Sequence, residues 1–393
     1  MAGKITYIDE VEIKNKVVLL RVDFNVSLNA DSTIADDIRI KQSIPTINLL
    51  LKNNNRIIIV SHLGRPKGID KKYSLQIIVD RLKQYFQNYS IGLYNDLETI
   101  KNASENIRIL ENIRFFPKEK DYSNLFAKKL ASLADIYVND AFGVCHRSDT
   151  SVVGPPKFIP GYGGLLLKQE LTMISKITDK PKKPVVAIIG GAKVSTKIDL
   201  LNKLVKIVDF LIIGGGLANT FVCAQGYNVG TSFCEYEAVQ EARRLLSLAK
   251  KNRAFIVLPV DAVIAENKDD KVSEIVKINN IPLRKSIFDI GPETKAEIGN
   301  IIAKAKTIIW NGPVGYFENP VFRQGTDFVY YSITQNDHAI SVVGGGDTLT
   351  AISKKEYLDK ITHLSTGGGA MLELIEKGTL PGLEALDFHQ KNK

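Results

Sequence analysis

The stretch VVAIIGGAKVSTKIDL, Val185 to Leu200, decides how this chain is read. Its first five residues, Val185-Val186-Ala187-Ile188-Ile189, form an unbroken apolar run, as expected of a strand buried on both faces of a parallel sheet. The run stops at Gly190-Gly191, where a chain without Cβ atoms can turn sharply and come close to something else. A helix is expected from about Ser195, with apolar positions at Ile198, Leu201, Leu204 and Val205. Lys193 and Lys197 then fall four apart, on one face of its first turn. Lysines oppose the acidic preference of a helix N-terminus, so their presence points to an anion such as phosphate held among them. A Walker A loop is excluded, because GxxxxGK[ST] does not fit.

The βα rhythm continues outward from this stretch in both directions. Toward the N-terminus, strands are expected at Lys16–Phe24, Arg56–Ser61, Ile91–Leu93, Ile107–Leu110 and Ile136–Asn139. Helices are expected between them at Ile38–Lys52, Leu75–Phe86 and Asn124–Ala134. Toward the C-terminus, strands are expected at Phe210–Ile213, Phe255–Leu258, Thr307–Trp310, Ala339–Val343 and His363–Ser365. The clearest helices between these are Tyr236–Lys251 and Pro292–Lys304. Val152–Gly164 breaks the rhythm with prolines and glycines, and Leu165–Ile177 follows as a strong helix joining two halves. The expected fold is α/β: two doubly wound, Rossmann-like parallel-sheet domains joined by a helix. Residues 1–164 form the first domain, 165–184 the joining helix and linker, and 185–377 the second domain. Leu380–Lys393 reads as a loose tail.

Length and composition agree with two cores. The chain has 393 residues, 44% of them hydrophobic and 24% charged, which is ordinary for a globular protein. The N-terminal MAGKITYIDE holds no apolar signal region, and no apolar run approaches a membrane span. Cys145, Cys223 and Cys234 are widely spaced without CxxC, so no disulfide framework or zinc site is indicated, and a reducing cytoplasm is expected. The net charge of +9 is scattered, with no basic aromatic patch, so no motif supports nucleic-acid binding. Most of the 52 basic residues are lysine, which makes an arginine at a strand end informative.

In an open parallel sheet, ligands bind beyond the carboxyl ends of the strands. In the first half those ends carry Arg21, Asp23 and Asn25; Ser61, His62 and Arg65; Arg114; and His146-Arg147, with Arg39 opening the first helix. Several guanidinium forks at one edge call for a small, strongly anionic ligand. In the second half the ends are glycine: Gly190-Gly191, Gly214–Gly216, Gly312 with Gly315, Gly344–Gly346 and Gly367–Gly369. Bare backbone there lets a nucleotide lie against the sheet and offers N–H groups to its phosphates. Asp347 suits Mg²⁺ carried by those phosphates, Thr348 suits a helix cap, and Glu318 suits a ribose hydroxyl. Cys145 beside His146 is not read as a thiol catalyst, since adjacent residues in an extended segment point opposite ways. No nucleophile–base–orienter set is present. A reaction whose acceptor is already an anion needs none; it needs positioning and charge neutralisation.

These residues resemble the phosphoglycerate kinase family. The resemblance is carried by RVDFN (Arg21–Asn25), DIRIKQSIPTI (Asp37–Ile47), SHLGRP (Ser61–Pro66), ILENIRF (Ile109–Phe115), YVNDAFG with HR (Tyr137–Arg147) and GGAKVSTKI (Gly190–Ile198). It continues through GGG (Gly214–Gly216), LPVD (Leu258–Asp261), IGPET (Ile290–Thr294), WNGPVGYFE (Trp310–Glu318), GGGDT (Gly344–Thr348) and STGGGA (Ser365–Ala370). The resemblance implies reversible phosphoryl transfer between 1,3-bisphosphoglycerate and ADP, giving 3-phosphoglycerate and ATP with Mg²⁺. It implies glycerate binding by Arg21, Asp23, Asn25, Arg39, His62, Leu63, Gly64, Arg65, Arg114 and Arg147. It implies nucleotide binding by Gly191, Lys193, Lys197, Gly215, Gly291, Asn311, Pro313, Glu318, Gly345, Gly346, Asp347 and Thr348, with Asp347 at the metal. Arg39, Lys193, Lys197, Gly367 and Gly368 would act on the group in transfer. The family is hinge-bending, and its tail returns to the first domain, which would suit Leu383–Phe388 within 378–393. A cytoplasmic monomer with small-molecule partners, and no nucleic acid or membrane, is implied. Departures are Ser27 where proline is usual, Cys145 where a small residue is common, and the proline- and glycine-rich Val152–Gly164. Two other readings predict different sequence. A nicotinamide dehydrogenase would open its first βα turn with GxGxxG, where RVDFN stands. A two-domain binding protein that clamps an anion would normally carry an export signal.

Overall fold

The computed structural model describes residues 5–352 and 355–391, with the side chains of 355 and 388–391 outside the description. The chain divides into two compact units, residues 1–172 with 377–393, and residues 173–376.

The first unit is built on six parallel strands: β1 (Val17–Val22), β2 (Arg56–Val60), β3 (Ile91–Tyr94), β4 (Ile107–Leu110), β5 (Ile136–Asp140) and β6 (Gly161–Gly163). Their order is β3-β4-β2-β1-β5-β6. The chain leaves β1 toward β2 on one side and returns to β5 on the other, with Arg21 opposite Asn139 and Val22 opposite Asp140. The switch point of the sheet therefore lies at the carboxyl ends of β1 and β5, where ligands bind in such folds. Val18, Leu20, Val22, Ile57 and Ile59 share one face and lie in one apolar core, while Leu19, Ile58 and Val60 on the other face are buried as well, so both faces are covered. Helix Ile38–Lys52 forms as the periodicity predicts, burying Ile40, Ile47, Leu50 and Leu51 and tolerating Pro45 inside it.

Two parts of this unit differ from expectation. The Val152–Gly164 segment is a packed part of the unit, with a short helix at Thr150–Val153, a 3-10 turn at Pro155–Lys157 and the edge strand β6. The C-terminal residues, expected as a loose tail, form a helix at Pro381–Lys391. Ala385 of that helix packs with Val152 and Val153 of the first unit, and Gly382 N donates to Cys145 O at 2.9 Å. Apolar burial outweighs the weak local signal of this segment.

The second unit repeats the plan with β7 (Val185–Ile189), β8 (Phe210–Ile213), β9 (Phe255–Val257), β13 (Thr307–Asn311), β14 (Ile340–Gly344) and β15 (His363–Ser365), in the order β15-β14-β13-β7-β8-β9. Its switch point lies between β7 and β13, where Ile189 stands opposite Asn311. A separate antiparallel sheet, with order β11-β10-β12, comprises β10 (Asp261–Ala265), β11 (Glu274–Lys277) and β12 (Ser286–Ile290). No element was expected in this interval. Among the described residues, no helix is long and apolar enough to cross a membrane. The three cysteines are free, and the fold brings Cys234 Sγ to 3.0 Å from Cys223 Sγ.

Candidate functional site

In the first unit the β1 end becomes a charged cluster because its side chains are built into the sheet edge. Arg21 is buried, and its Nε donates to Ser151 Oγ at 2.8 Å. A second edge of the same guanidinium meets His62 Nδ1 at 3.5 Å. Asp23 is buried and pairs with Arg39 Nη1, while its Oδ1 accepts from Asn25 N at 3.2 Å. Burial opposes the Asp23 charge, but its neighbours, led by the guanidinium of Arg39, outweigh it, holding the carboxyl at about 2. His62 is buried, and desolvation, reinforced by Arg21, Arg114 and Arg147, pushes its pKa well below 6.5 against the pull of Asp23. It is therefore neutral, and the Asp23 charge is balanced by guanidinium groups.

The loop after β2 completes this cluster. Asn25 Oδ1 accepts from Gly64 N at 2.7 Å, and Arg114 Nη1 donates to Gly64 O. Leu63 is buried beneath the loop, and Arg65 is exposed on it. Arg114 is buried, and desolvation followed by its neighbour Arg147 lowers its pKa to about 10. Its Nε has no hydrogen-bond partner. A buried cation with an unmet donor, beside Arg147 and Arg21, is suited to a doubly charged anion. Cys145 is no nucleophile: it is buried, and desolvation raises its thiol to about 12.

In the second unit the glycine clusters interlock. A Cβ on Gly190 would lie 2.0 Å from Pro313 O, and Gly312 is held at φ +93 against Gly190. A Cβ on Gly368 would lie 2.2 Å from Gly345 Cα. These glycines let neighbouring loops touch backbone to backbone, which draws the strand ends together. Gly346, by contrast, has nothing within 4 Å of its Cβ position, so the chain itself does not require glycine there.

Lys197 is half-buried, and its Nζ donates to Gly190 O at 2.7 Å and reaches Asn311 Oδ1 at 3.4 Å. Burial lowers its pKa to about 8, opposed by Asp347. Asn311 Nδ2 in turn donates to Gly344 O at 2.8 Å. A cavity of about 620 Å³ opens beside these loops. Gly191, Gly215, Pro313, Glu318 and Asp347 line it, so five of the sequence-predicted nucleotide residues border one cavity.

Three expectations change. The helix after β7 begins at Ile198, so Lys197 occupies its N-cap position, and the exposed Lys193 lies in the preceding turn. The two lysines are therefore not on one helical face. Glu235 holds that turn, accepting from Ser195 N at 3.1 Å and Ser195 Oγ at 2.6 Å. Thr348 is not a side-chain cap: it is buried, accepts from Gly312 N at 2.7 Å and donates to Gly344 O at 2.9 Å. Gly291 sits outside the cavity lining as the N-cap of helix Pro292–Lys304, its N–H donating to Asp261 O at 3.0 Å. Gly367 and Gly368 stand at the start of helix Gly368–Lys377, where Gly367 O accepts from Met371 N.

The aromatic and amide walls of the cavity, Phe288, Tyr316, Phe317 and Asn219, escaped the sequence reading. Phe288 lies in SIFDI (Ser286–Ile290), whose isoleucine and phenylalanine content was the strand signal available.

The family model described as phosphoglycerate kinase matches residues 8–378 of this chain. The phosphoglycerate kinase of Pelotomaculum thermopropionicum is 40% identical over 385 residues, covering 96% of this chain and 98% of that protein. Phosphoglycerate kinase 3, cytosolic, of Arabidopsis thaliana is 42% identical over 388 residues, covering 96% of this chain and 97% of its own length. Among solved structures, phosphoglycerate kinase from Coxiella burnetii superposes with a TM-score of 0.89 at 37% identity, covering 99% of this chain and all of that one.

Proposed function

The chain belongs to the phosphoglycerate kinase family of phosphotransferases, and we propose that it transfers a phosphoryl group reversibly between 1,3-bisphosphoglycerate and ADP, giving 3-phosphoglycerate and ATP. The observation that carries this reading is the cluster at one sheet's switch point, where buried Arg21, Asp23, His62 and Arg114 meet the half-buried Arg39, so that cations predominate and the one carboxylate is already ion-paired. In the ATP-consuming direction the 3-phosphoglycerate carboxylate attacks the γ-phosphorus, and the bond from that phosphorus to the ADP oxygen breaks. The attacking group is already an anion, so no proton has to leave it and a neutral His62 suffices. Arg21, Arg114 and Arg147 hold the glycerate phosphate and carboxyl groups, and Asp23 and Asn25 orient the rest.

Arg39 and Lys197 neutralise charge on the group in flight, as guanidinium and ammonium groups do in phosphoryl transfer. Lys193 and the N-terminus at Gly367-Gly368 assist. Transfer is in line, and the glycerate-bearing and nucleotide-bearing units close to exclude water, which would hydrolyse the acyl phosphate. Glu318 takes the ribose, and Gly345 and Gly346 approach the phosphates. Mg²⁺ fits this donor set: Asp347 is a single carboxylate on the cavity wall beside the open Gly346, and no cluster of three acidic, histidine or cysteine ligands exists among the described residues. When bound, it neutralises phosphate charge. We propose a cytoplasmic monomer.

A coupled assay with ATP, Mg²⁺ and 3-phosphoglycerate tests this directly. Turnover dependent on all three is the expected result. Ligand binding without turnover would favour an anion-clamping protein, and NAD(H) binding a dehydrogenase.

A further inference from the structure

One buried carboxylate borders the cavity without a role in the chemistry above. Asp289, on β12, is 2% exposed. Its Oδ2 accepts from Gly325 N at 2.7 Å, and its Oδ1 accepts from Ile290 N at 2.9 Å. Gly325 lies in the first turn of helix Gln324–Thr334, whose N-cap residue Arg323 makes no side-chain cap bond. Asp289 thus supplies from a neighbouring sheet an acceptor that this helix end lacks.

The other end of the same loop closes on the same group. A Cβ on Gly315 would lie 2.2 Å from Asp289 Oδ1, and so would one on Gly325. Both glycines are seated against the carboxylate. Tyr316 N donates to the carbonyl of the preceding residue, Phe288, at 2.7 Å. Between Gly315 and Gly325 run Tyr316, Phe317 and Glu318, which form one wall of the cavity. One side chain therefore holds the Gly325 end by a hydrogen bond and bounds the Gly315 end by close packing, while Gly315 N donates to Thr326 Oγ1 at 3.3 Å.

We propose that Asp289 is a positioning residue for the nucleoside half of the nucleotide, and that its ionised form clamps the Gly315–Gly325 loop in the binding geometry. The proposal rests on the reading of this cavity as the nucleotide site. Two N–H groups, one on each oxygen, call for a carboxylate; a protonated carboxyl turns an O–H toward one of them and loosens the clamp. Burial raises the Asp289 pKa to about 7, opposed by the Gly325 and Ile290 bonds and by Lys295 of helix Pro292–Lys304, and aided by Asp327 of helix Gln324–Thr334. Across β10 the residue opposite Asp289 is the apolar Val263. The clamp is thus set to loosen below neutral pH.

Adenosine is the probe, because it carries no phosphate to titrate. Its affinity for the full chain is measured by ligand-observed NMR from pH 8 to pH 6, for the wild type and Asp289→Asn. The wild-type affinity is expected to fall about fivefold as pH drops, the size of an ordinary coupling between two sites. Asp289→Asn is expected to bind weakly at every pH with no slope, with a raised KM for ATP and an unchanged KM for 3-phosphoglycerate. A wild-type affinity independent of pH, or a variant that keeps the wild-type slope, overturns the clamp. Should the variant fail to fold, the wild-type profile decides alone. Failure of adenosine to bind at any pH overturns the nucleotide reading of the cavity as well, which separates the two failures.

Discussion

Replacing Asp23 by asparagine tests the electrostatics of the glycerate cluster without changing its shape. Asp23 is 6% exposed and paired with Arg39, which is 29% exposed. The native carboxyl sits at about 2, against an ordinary value of 3.8. At roughly 1.4 kcal/mol per pKa unit, that preference for the charged form stabilises the fold by about 2.5 kcal/mol near neutral pH. A fully buried pair that loses one partner costs about 3–5 kcal/mol, but Arg39 can turn its charge toward water, so the smaller figure is expected.

The sign follows from the direction of the perturbation. The folded-state pKa lies below the unfolded one, so the stabilisation is present above about pH 4 and lost as pH falls through 2. Urea unfolding of the wild type and Asp23→Asn, from pH 7 to pH 2.5 in buffer free of sulfate and phosphate, reads this directly. The gap should be about 2.5 kcal/mol at pH 7 and below about 1 kcal/mol at pH 2.5. A gap that keeps its size across the range would refute the charge argument and make Asp23 a packing residue.

Arg39→Ala should lower turnover by roughly 10³-fold or more with the fold intact, as for other arginines that neutralise a phosphoryl group in transfer; near-normal kcat would remove its assigned role. Lys197→Ala should weaken ATP binding more than 3-phosphoglycerate binding in calorimetry, and the reverse ranking would exchange the ligands of the two units. Because Lys197 titrates at about 8, its charge is held below that pH and lost above it. ATP affinity should therefore fall from pH 7 to 9 in the wild type and hold steadier in Lys197→Arg. Thr348→Val removes the acceptor of a buried N–H on Gly312, and thermal unfolding should show a loss of about 1–3 kcal/mol. An unchanged unfolding temperature would mean that Gly312 finds another partner.

Much of the second unit's site was legible because it is made of strand ends. Apolar runs such as Val185–Ile189 announce buried parallel strands, and the residues that follow them must stand at the sheet edge. That is why Gly191, Gly215, Glu318 and Asp347 could be named from strand ends, and they share one cavity with Pro313, which the family resemblance supplied. The β10–β12 sheet was not legible, since its strands are short, antiparallel and joined by irregular loops, and Phe288 of the cavity lining went with it. The helix at Pro381–Lys391 was hidden from local pattern for another reason, and only the family resemblance returned the tail to the first unit: its burial against Val152 and Val153 arises from a segment more than two hundred residues earlier in the chain.

Val185–Leu200 marks the division most clearly. Its sequence determined a buried strand, a tight glycine turn and two lysines near a helix start, because periodicity and steric freedom are local properties. The role of each lysine was decided by tertiary structure. Glu235, forty residues on, holds the turn that keeps Lys193 in solvent, while Gly190 O and Asn311 from the adjacent strand draw Lys197 inward. Desolvation there lowers its pKa to about 8, and desolvation depends on what packs around a group. The same holds for Asp23, Arg114, His62 and Asp289: their residue types are written in the chain, but their charge states come from neighbours that only the fold supplies.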